Sequence, residues 1–567
     1  MKNRKRLVSL LLTAAMLASL ALTGCGSGKD SGDSSASSKN DTVSSVSEPA
    51  ESTSEDSEES DSDSIDTGDM ETIKMLFKGP KPDGYDDVHT EFLNRTKDDL
   101  NIDIDITFVE HADYKEKLNL ELTSGTDYDL VYDAPWLLLS TLAADDYYAD
   151  LSEYFNNDEY PGLKKAFAEN VMENNKWFDR MCYVPLFRAY GNGIPSIHYR
   201  QDWADEWGIG EIDSYDKMEE YWAKAKTEGI TPFASSNTRG FFQMYTIAGN
   251  FPGAAKDGIM GFDIADVTFM VYVKDGELVS IAPQGAGDEA FKDFPEGWNR
   301  DFAMDRFEKF AQWYEEGYMI ADSLTVTDAN TPFWSGQAAS MIGTLDDVEN
   351  NSRNIPDYSP EAVIGEFIYD EGIREMKDGS VPTTFAGNNG LCIPEGSKKI
   401  DTTMRFLDWM FGSKENHDLF ELGVEGADYE MNSDGTYTAK TVYPANWAGY
   451  GMTWNPNYVT FSDLVQGTDL EYRTWELDEK SAVAQPITGF AFNASDVEVS
   501  SLVAQVKAVA NKVALPKLHG ILSDGTNTYG SAAEMIKANL DECEGAGLQD
   551  LQDELERQIT EHLAKNK

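Results

Sequence analysis

The chain has 567 residues, enough for two or three cores of ordinary domain size or for one bilobal unit of roughly 500 residues. Its formal charge of −55 excludes a general nucleic-acid binder, whose footprint is a basic patch, and argues against docking on anionic lipid head groups. Acidity of that size means solubility before it means function.

Lys2, Arg4, Lys5 and Arg6 precede an apolar run from Leu7 that closes on Leu22-Thr23-Gly24-Cys25. A basic n-region, an apolar h-region and small residues before a cysteine make a secretory signal of the lipobox kind, too short for a spanning helix of about 20 residues. Removal of 1–24 leaves Cys25 first, with a diacylglycerol on its thiol and a further acyl chain on its amine, and two or more chains make a durable membrane anchor. The competing reading is an ordinary cleaved signal with a coincidental cysteine. Cys182, Cys392 and Cys543 are too few and too widely spaced for a disulfide framework or a zinc site, and read as buried apolar thiols.

From 25 to 70 the chain is Ser, Asp and Glu with almost nothing apolar, as in Glu55-Asp56-Ser57-Glu58-Glu59, so it cannot bury enough surface to fold. It reads as a flexible tether spanning roughly 35 to 40 Å.

Folded structure begins with alternation in Ile73-Lys74-Met75-Leu76-Phe77, stopped by Gly79-Pro80. A helix from about Asp86 to Leu100 follows, then a strand on Ile102, Ile104, Ile106 and Phe108, a helix with Tyr114, Leu118 and Leu122 on one face, and a strand at Asp129-Leu130-Val131-Tyr132. This βαβαβ order predicts a parallel sheet with right-handed crossovers. Asp99, Asn101, Asp103, Asp105 and Glu110 match ligand places of a calcium loop, but Ile104 stands where that loop needs glycine, and the period of two reads as a strand.

A strand core follows at Ile194 to Tyr199. Asp213-Ser214 caps a helix with Met218, Tyr221, Trp222 and Ala225 at i, i+3, i+4, i+7 spacing; Phe307, Phe310, Ala311 and Tyr314 repeat the pattern before Gly317. Ser340-Met341-Ile342 and Leu391-Cys392-Ile393 read as short buried strands, and Met404, Leu407 and Phe411 mark a helix ended by Gly412. The C-terminal stretch is mostly helix: Leu502, Val506, Val509 and Val513 share a face, Ser531 to Glu534 is a capping box, and Leu548, Leu551, Leu555, Ile559 and Leu563 stripe the last helix.

Catalytic constellations are missing. The six histidines lack HExxH spacing, and there is no G-x-S-x-G elbow or P-loop, so no cofactor and no metal are expected. With 101 acidic residues a glycosidase-like carboxylate pair is always available and carries no information. Aromatic residues placed in loops are more telling. Asp133-Ala134-Pro135-Trp136 follows the third strand, where ligands bind outside the carboxyl ends of open α/β sheets. Arg188 and Tyr190 follow Val184-Pro185-Leu186, and Trp447 and Trp454 bracket a Gly-rich loop. A pyranose ring has an apolar face and a hydroxyl rim, so flat aromatics with Asp133, Arg188, Asn388 and Asn389 around them suit a sugar.

Ser124-Gly125-Thr126-Asp127-Tyr128-Asp129-Leu130-Val131 and Leu151-Ser152-Glu153-Tyr154-Phe155 resemble the first lobe of extracellular solute-binding proteins of ABC importers, family 1, the carbohydrate-type cluster. Gly336 to Gly343 resembles that family's helix-to-strand segment ahead of a ligand loop. Gly489-Phe490-Ala491-Phe492-Asn493 and Glu544 to Gln552 resemble the extra C-terminal domain of its large lipoprotein branch. The resemblance covers about Glu71 to Leu563.

It implies an α/β fold of two Rossmann-like lobes with a hinge, of the type II periplasmic-binding-protein kind, plus a helical C-terminal region. The segments expected are the signal (1–24), the tether (25–70), lobe 1 (71–190), lobe 2 (191–380), a lobe 1 return (381–445), and a lobe 2 return with the C-terminal helices (446–567). The implied ligand contacts are Asp133, Trp136, Arg188, Tyr190, Asp346, Asn388, Trp447 and Trp454. Around Ile259 to Pro295 and Glu425 to Tyr443 the chain departs from better-known sugar receptors. The implied role is a non-enzymatic, monomeric, lipid-anchored receptor on the outer face of the cell membrane that hands an oligosaccharide to the permease subunits of an importer. A receptor of the same architecture for peptides or another solute, and a secreted glycan-degrading lipoprotein, are the alternatives.

Overall fold

The structure is a computed structural model that describes residues 70–97, 99–190, 194–237, 240–241, 253–298, 300–320, 323–383, 385–447 and 453–565. The signal, Cys25, nearly all of the acidic tether and residues 448–452 of the Gly-rich loop lie outside them. In chain order, β1 (Glu71–Lys78), β2 (Ile102–Val109), β3 (Leu130–Asp133) and β4 (Val184–Leu186) build the first lobe. β1 pairs in parallel with β2 and β3, as the βαβαβ order predicts. The inward faces of the intervening helices are Val88, Phe92 and Thr96 on one and Tyr114, Leu118 and Leu122 on the other. The acidic stretch compared above with a calcium loop falls largely in β2, whose Ile102, Ile104 and Ile106 are buried.

The second lobe follows with β5 (Pro195–Arg200), β6 (Thr231–Ala234), a meander of β7 (Ile259–Ile264), β8 (Val267–Lys274) and β9 (Glu277–Pro283), then β10 (Ala338–Thr344) and β11 (Ile364–Phe367). Its main sheet has the order β11-β5-β10-β6. The Tyr215–Thr227 helix is capped by Ser214 and buries Met218, Tyr221, Trp222 and Ala225. Trp222 packs on Phe233, Phe241 and Trp313, and its indole N–H donates to Ser340 Oγ at 2.7 Å. One expected core position differs. Tyr314 is 38% exposed, and Trp313 beside it takes the inward place.

The chain then returns through β12 (Val381–Thr383) to β13 (Asn389–Cys392), which lies antiparallel between β3 and β4 and completes the sheet β2-β1-β3-β13-β4. The helices Ile400–Met410 and Lys414–Glu421 cover one face of that sheet. A hairpin of β14 (Tyr429–Met431) and β15 (Tyr437–Ala439) comes next. The expected boundary at 445 falls too early: Trp447 and Tyr458 are buried in the first lobe's core, so that lobe's return extends beyond both. The Gly467–Trp475 helix re-enters the second lobe, and β16 (Ala482–Ala484) pairs in parallel with β12.

Three C-terminal helices, Val497–His519, Ala532–Gly545 and Leu548–Lys565, close the fold. Val506, Leu551, Leu555 and Ile559 pack on Phe269, Val271 and Ile281 of the meander, so the last stripe buries an otherwise bare sheet. Cys182, Cys392 and Cys543 are buried free thiols.

Candidate functional site

The carboxyl ends of β1, β3 and β4 and the amino end of antiparallel β13 share one edge of the first sheet. Asp133 stands there but does not face solvent. It is fully buried, and its carboxylate accepts from the Ala134 and Leu138 amides at 2.7 and 3.1 Å and from the Tyr148 hydroxyl at 2.6 Å. Burial lifts its carboxyl to about 6 against those hydrogen bonds. The expected ligand contact is therefore a turn-former that shapes the loop carrying Trp136.

Trp136 is 53% exposed. Its indole N–H donates to Asn389 Oδ1 at 3.1 Å, which also accepts from Tyr132 at 2.6 Å, and the Lys78 ammonium sits 4.5 Å from its ring centroid. Asn388 is exposed beside it, whereas Asn389 is buried.

Next to this edge is a cavity of about 280 Å³ whose walls come from both lobes. Trp454 supplies the first lobe's flat face. It is half-buried, is anchored by the Phe187 amide donating to its carbonyl at 3.1 Å, and its indole Nε1 is buried with no hydrogen-bond partner among the described residues. The Arg188 guanidinium lies 4.2 Å over the ring and reaches Asp346 of the second lobe at 3.6 Å. Glu421, held by the Thr453 hydroxyl, also lines this side; burial raises its carboxyl.

The second lobe answers with the Leu345–Asn354 helix, started by a reciprocal cap between Thr344 and Asp347. Leu345, Val348 and Asn351 face inward, while Asp346, Glu349, Asn350 and Arg353, at i, i+3, i+4 and i+7, face the cavity. Asp346 accepts from Arg473 at 2.9 Å and Glu349 from Arg353 at 2.6 Å. Arg473 is 5% exposed, and Asp469, Glu476 and Glu366 are clustered around it. Carboxylates crowded about one buried guanidinium cannot all ionise. Burial raises Asp469 to about 7 against the pull of Arg473, and burial followed by neighbouring carboxylates raises Glu476 and Glu366 well above their ordinary range.

Among the expected contacts, the structure brings together Arg188, Asp346 and Trp454. Trp136 and Asn388 lie exposed along the same sheet edge, outside the residues that line the cavity. Tyr190 is half-buried against Phe187 and Phe385, with its amide donating to the Glu476 backbone carbonyl at 3.2 Å, and does not line the cavity. Trp447 is wholly buried: its indole donates to the Phe420 carbonyl at 2.7 Å and its ring packs on Tyr85 and Phe420. It is a core residue, not a platform. Glu349, Asn350, Arg353, Glu421, Arg473 and Glu476 were not anticipated, although the polar i, i+3, i+4, i+7 stripe after Thr344 was open to view.

Residues 81–417, more than half of the chain, match the family described as bacterial extracellular solute-binding protein. A carbohydrate ABC transporter substrate-binding protein of Streptococcus pneumoniae is 22% identical over 526 residues, 88% of this chain and 93% of that protein. The polygalacturonan/rhamnogalacturonan-binding protein YtcQ of Bacillus subtilis is 22% identical over 61% of this chain and 65% of its own length. The crystal structure of the N-glycan transport solute binding protein NgtS from Streptococcus pneumoniae superposes with a TM-score of 0.67 at 17% identity, covering 88% of this chain and all of that one.

Proposed function

This chain belongs to the bacterial extracellular solute-binding protein family, and from that premise we propose that it captures an oligosaccharide between its lobes and delivers it to the permease of an ABC importer. The observation that carries the reading is the cavity wall itself. Trp454 offers a flat face, and the cationic side chains around it are already matched, Arg188 and Arg473 by Asp346 and Arg353 by Glu349. A peptide receptor needs unmatched charges for its ligand's termini; a neutral polyhydroxylated ring needs an aromatic face with donors and acceptors at the rim. The names of the Streptococcus relatives support the same ligand class.

Trp454, Arg188 and Asp346 make the first contacts in this reading, with Trp136 and Asn388 along the sheet edge receiving further units of the glycan. Ligand that touches both lobes favours their closed arrangement. The lipobox supports an anchor at Cys25 on the outer face of the membrane, so Cys25→Ala is expected to leave the protein unacylated and uncleaved or shed. Cleavage after Gly24 with retention on the membrane and no lipid would refute the anchor.

The functional test is a thermal-shift screen of glycans beside peptides. Ligand at 100 times its dissociation constant stabilises by about 2.7 kcal/mol. Stabilisation by peptides alone sinks the reading, and steady loss of the glycan during incubation marks an enzyme instead.

A further inference from the structure

Part of the stretch from Glu425 to Tyr443 lines the cavity. Between the Lys414–Glu421 helix and Trp447 the chain makes the β14–β15 hairpin, which has a small core of its own in Leu422, Tyr429 and Tyr437. Its turn is firmly built. Gly435 takes a φ of +89°, open to glycine, the Asn432 amide donates to the Thr436 carbonyl at 2.9 Å, and Asp434 accepts from the Thr436 amide at 3.0 Å. The root is fixed as well: the buried Asp428 accepts from the Val424 amide at 2.6 Å, and its carbonyl accepts from Lys440 and from the Asn446 side chain, each at 3.0 Å.

The hairpin is also tied to the segment that crosses to the second lobe. The Tyr437 amide donates to the Phe461 carbonyl at 3.0 Å, the Asp463 amide donates back to the Tyr437 carbonyl at 2.8 Å, and the Thr438 hydroxyl donates to Asp463 at 2.6 Å. This stretch thus presents Leu422, Tyr437, Val442 and Tyr443 to the cavity. It makes a different kind of wall from the opposite one. No charged side chain stands among those four, and the Tyr443 hydroxyl is spent on the Pro80 carbonyl at 2.8 Å. At about 280 Å³ the space is slightly smaller than the usual ligand site of about 300 to 1,000 Å³.

We infer that the β14–β15 hairpin is the end wall that sets how long a ligand this receptor accepts, with Tyr437 as the residue that determines it. The inference rests on the cleft being the ligand site. A ligand grows along the cavity until its end meets the Tyr437 ring, and a further unit finds no space there. Because β15 rides on the crossing segment, the wall keeps its place relative to that segment when the lobes move.

The experiment compares the full-length protein with Tyr437→Ala and Tyr437→Phe, by calorimetry against manno-, gluco- and galacturono-oligosaccharide ladders from the disaccharide upward. The expected result is a length optimum in the parent, retained in Tyr437→Phe and shifted to longer members in Tyr437→Ala, whose affinity for the first member beyond the parent's optimum rises at least tenfold. An unchanged optimum in Tyr437→Ala overturns the inference, as does an equal loss at every length, which would make Tyr437 an ordinary contact. Tyr437→Phe serves as the folding control, since it keeps the ring in the hairpin core. Should the parent bind peptides and no glycan, the carbohydrate reading falls, and the same variants against a peptide length series decide the role of the hairpin separately.

Discussion

Trp447 and Trp454 bound one short Gly-rich loop, yet they belong to different parts of the molecule. Trp447 enters the groove between the Tyr85–Thr96 and Lys414–Glu421 helices, gives its N–H to Phe420 and keeps no exposed surface. Trp454 emerges at the cleft, where its face meets Arg188. Composition is the same for both, so the loop's chemistry does not reveal which indole is structural. Exposure does: Trp447 keeps none and has found its acceptor inside the fold, while Trp454 is only half-buried and stands on the wall of a cavity.

The sharpest way to break the contrast is Trp447→Ala. Emptying that groove is expected to cost roughly 3 to 5 kcal/mol of stability, as Trp222→Ala should in the other lobe, whose indole is likewise buried and bonded. Denaturant unfolding measures both. A Trp447→Ala variant that unfolds with the parent would place its ring outside the core after all.

Trp454→Ala is expected to act on the other quantity. Loss of the flat face should weaken binding of an identified glycan at least tenfold, about 1.4 kcal/mol, with only a small fall in melting temperature. Calorimetric affinity read beside melting temperature separates the two effects; parental affinity, or a fall as deep as that of Trp447→Ala, reverses the assignment.

A smaller effect sharpens the comparison between the cleft's walls, since the second lobe's side rests on buried acids. Asp469 faces Arg473, Asp346 and Glu349, and burial lifts its folded-state carboxyl to about 7, above the value near 3.9 expected unfolded. The folded protein therefore holds this proton more tightly, and its contribution to stability is complete below about pH 4 and lost as pH rises through 7. Asp469→Asn should flatten the decline of melting temperature over that window, measured without ligand. Parallel profiles for parent and variant would show that Asp469 is ionised throughout.

Much of the fold was legible because alternation and helical stripes survive wherever an element has one wet face. Ile102, Ile104 and Ile106 in β2, the Trp222 helix and the Leu548 to Ile559 stripe all lie as their spacing requires. The meander was not read, since β8 is buried along almost its whole length and shows no period of two. Its second hairpin was nonetheless signalled by Asp275-Gly276, whereas Ala265-Asp266 at the first carries no such signature although all four residues adopt positive φ. At the site, loop aromatics led to Trp454 and to Trp136. Asp133 misled because a carboxylate after a strand can cap its own turn, and the Asp346 to Arg353 stripe escaped because a polar helix face ordinarily means solvent. Arg473 pairs with Asp346 across 127 residues of chain, a distance no local pattern bridges.

The dependence of the meander on the C-terminal helices bears on how the protein is made. Strands β7 to β9 leave the ribosome long before Val506, Leu551 and Ile559, which cover them. Until those helices arrive, Phe269, Val271 and Ile281 form an uncovered apolar sheet, and contacts so distant in sequence form slowly. A chain ended before Val497 should therefore accumulate as aggregate even though the cleft residues are all present. These helices, none of which lines the cavity, act as the solubility element of the maturing polypeptide.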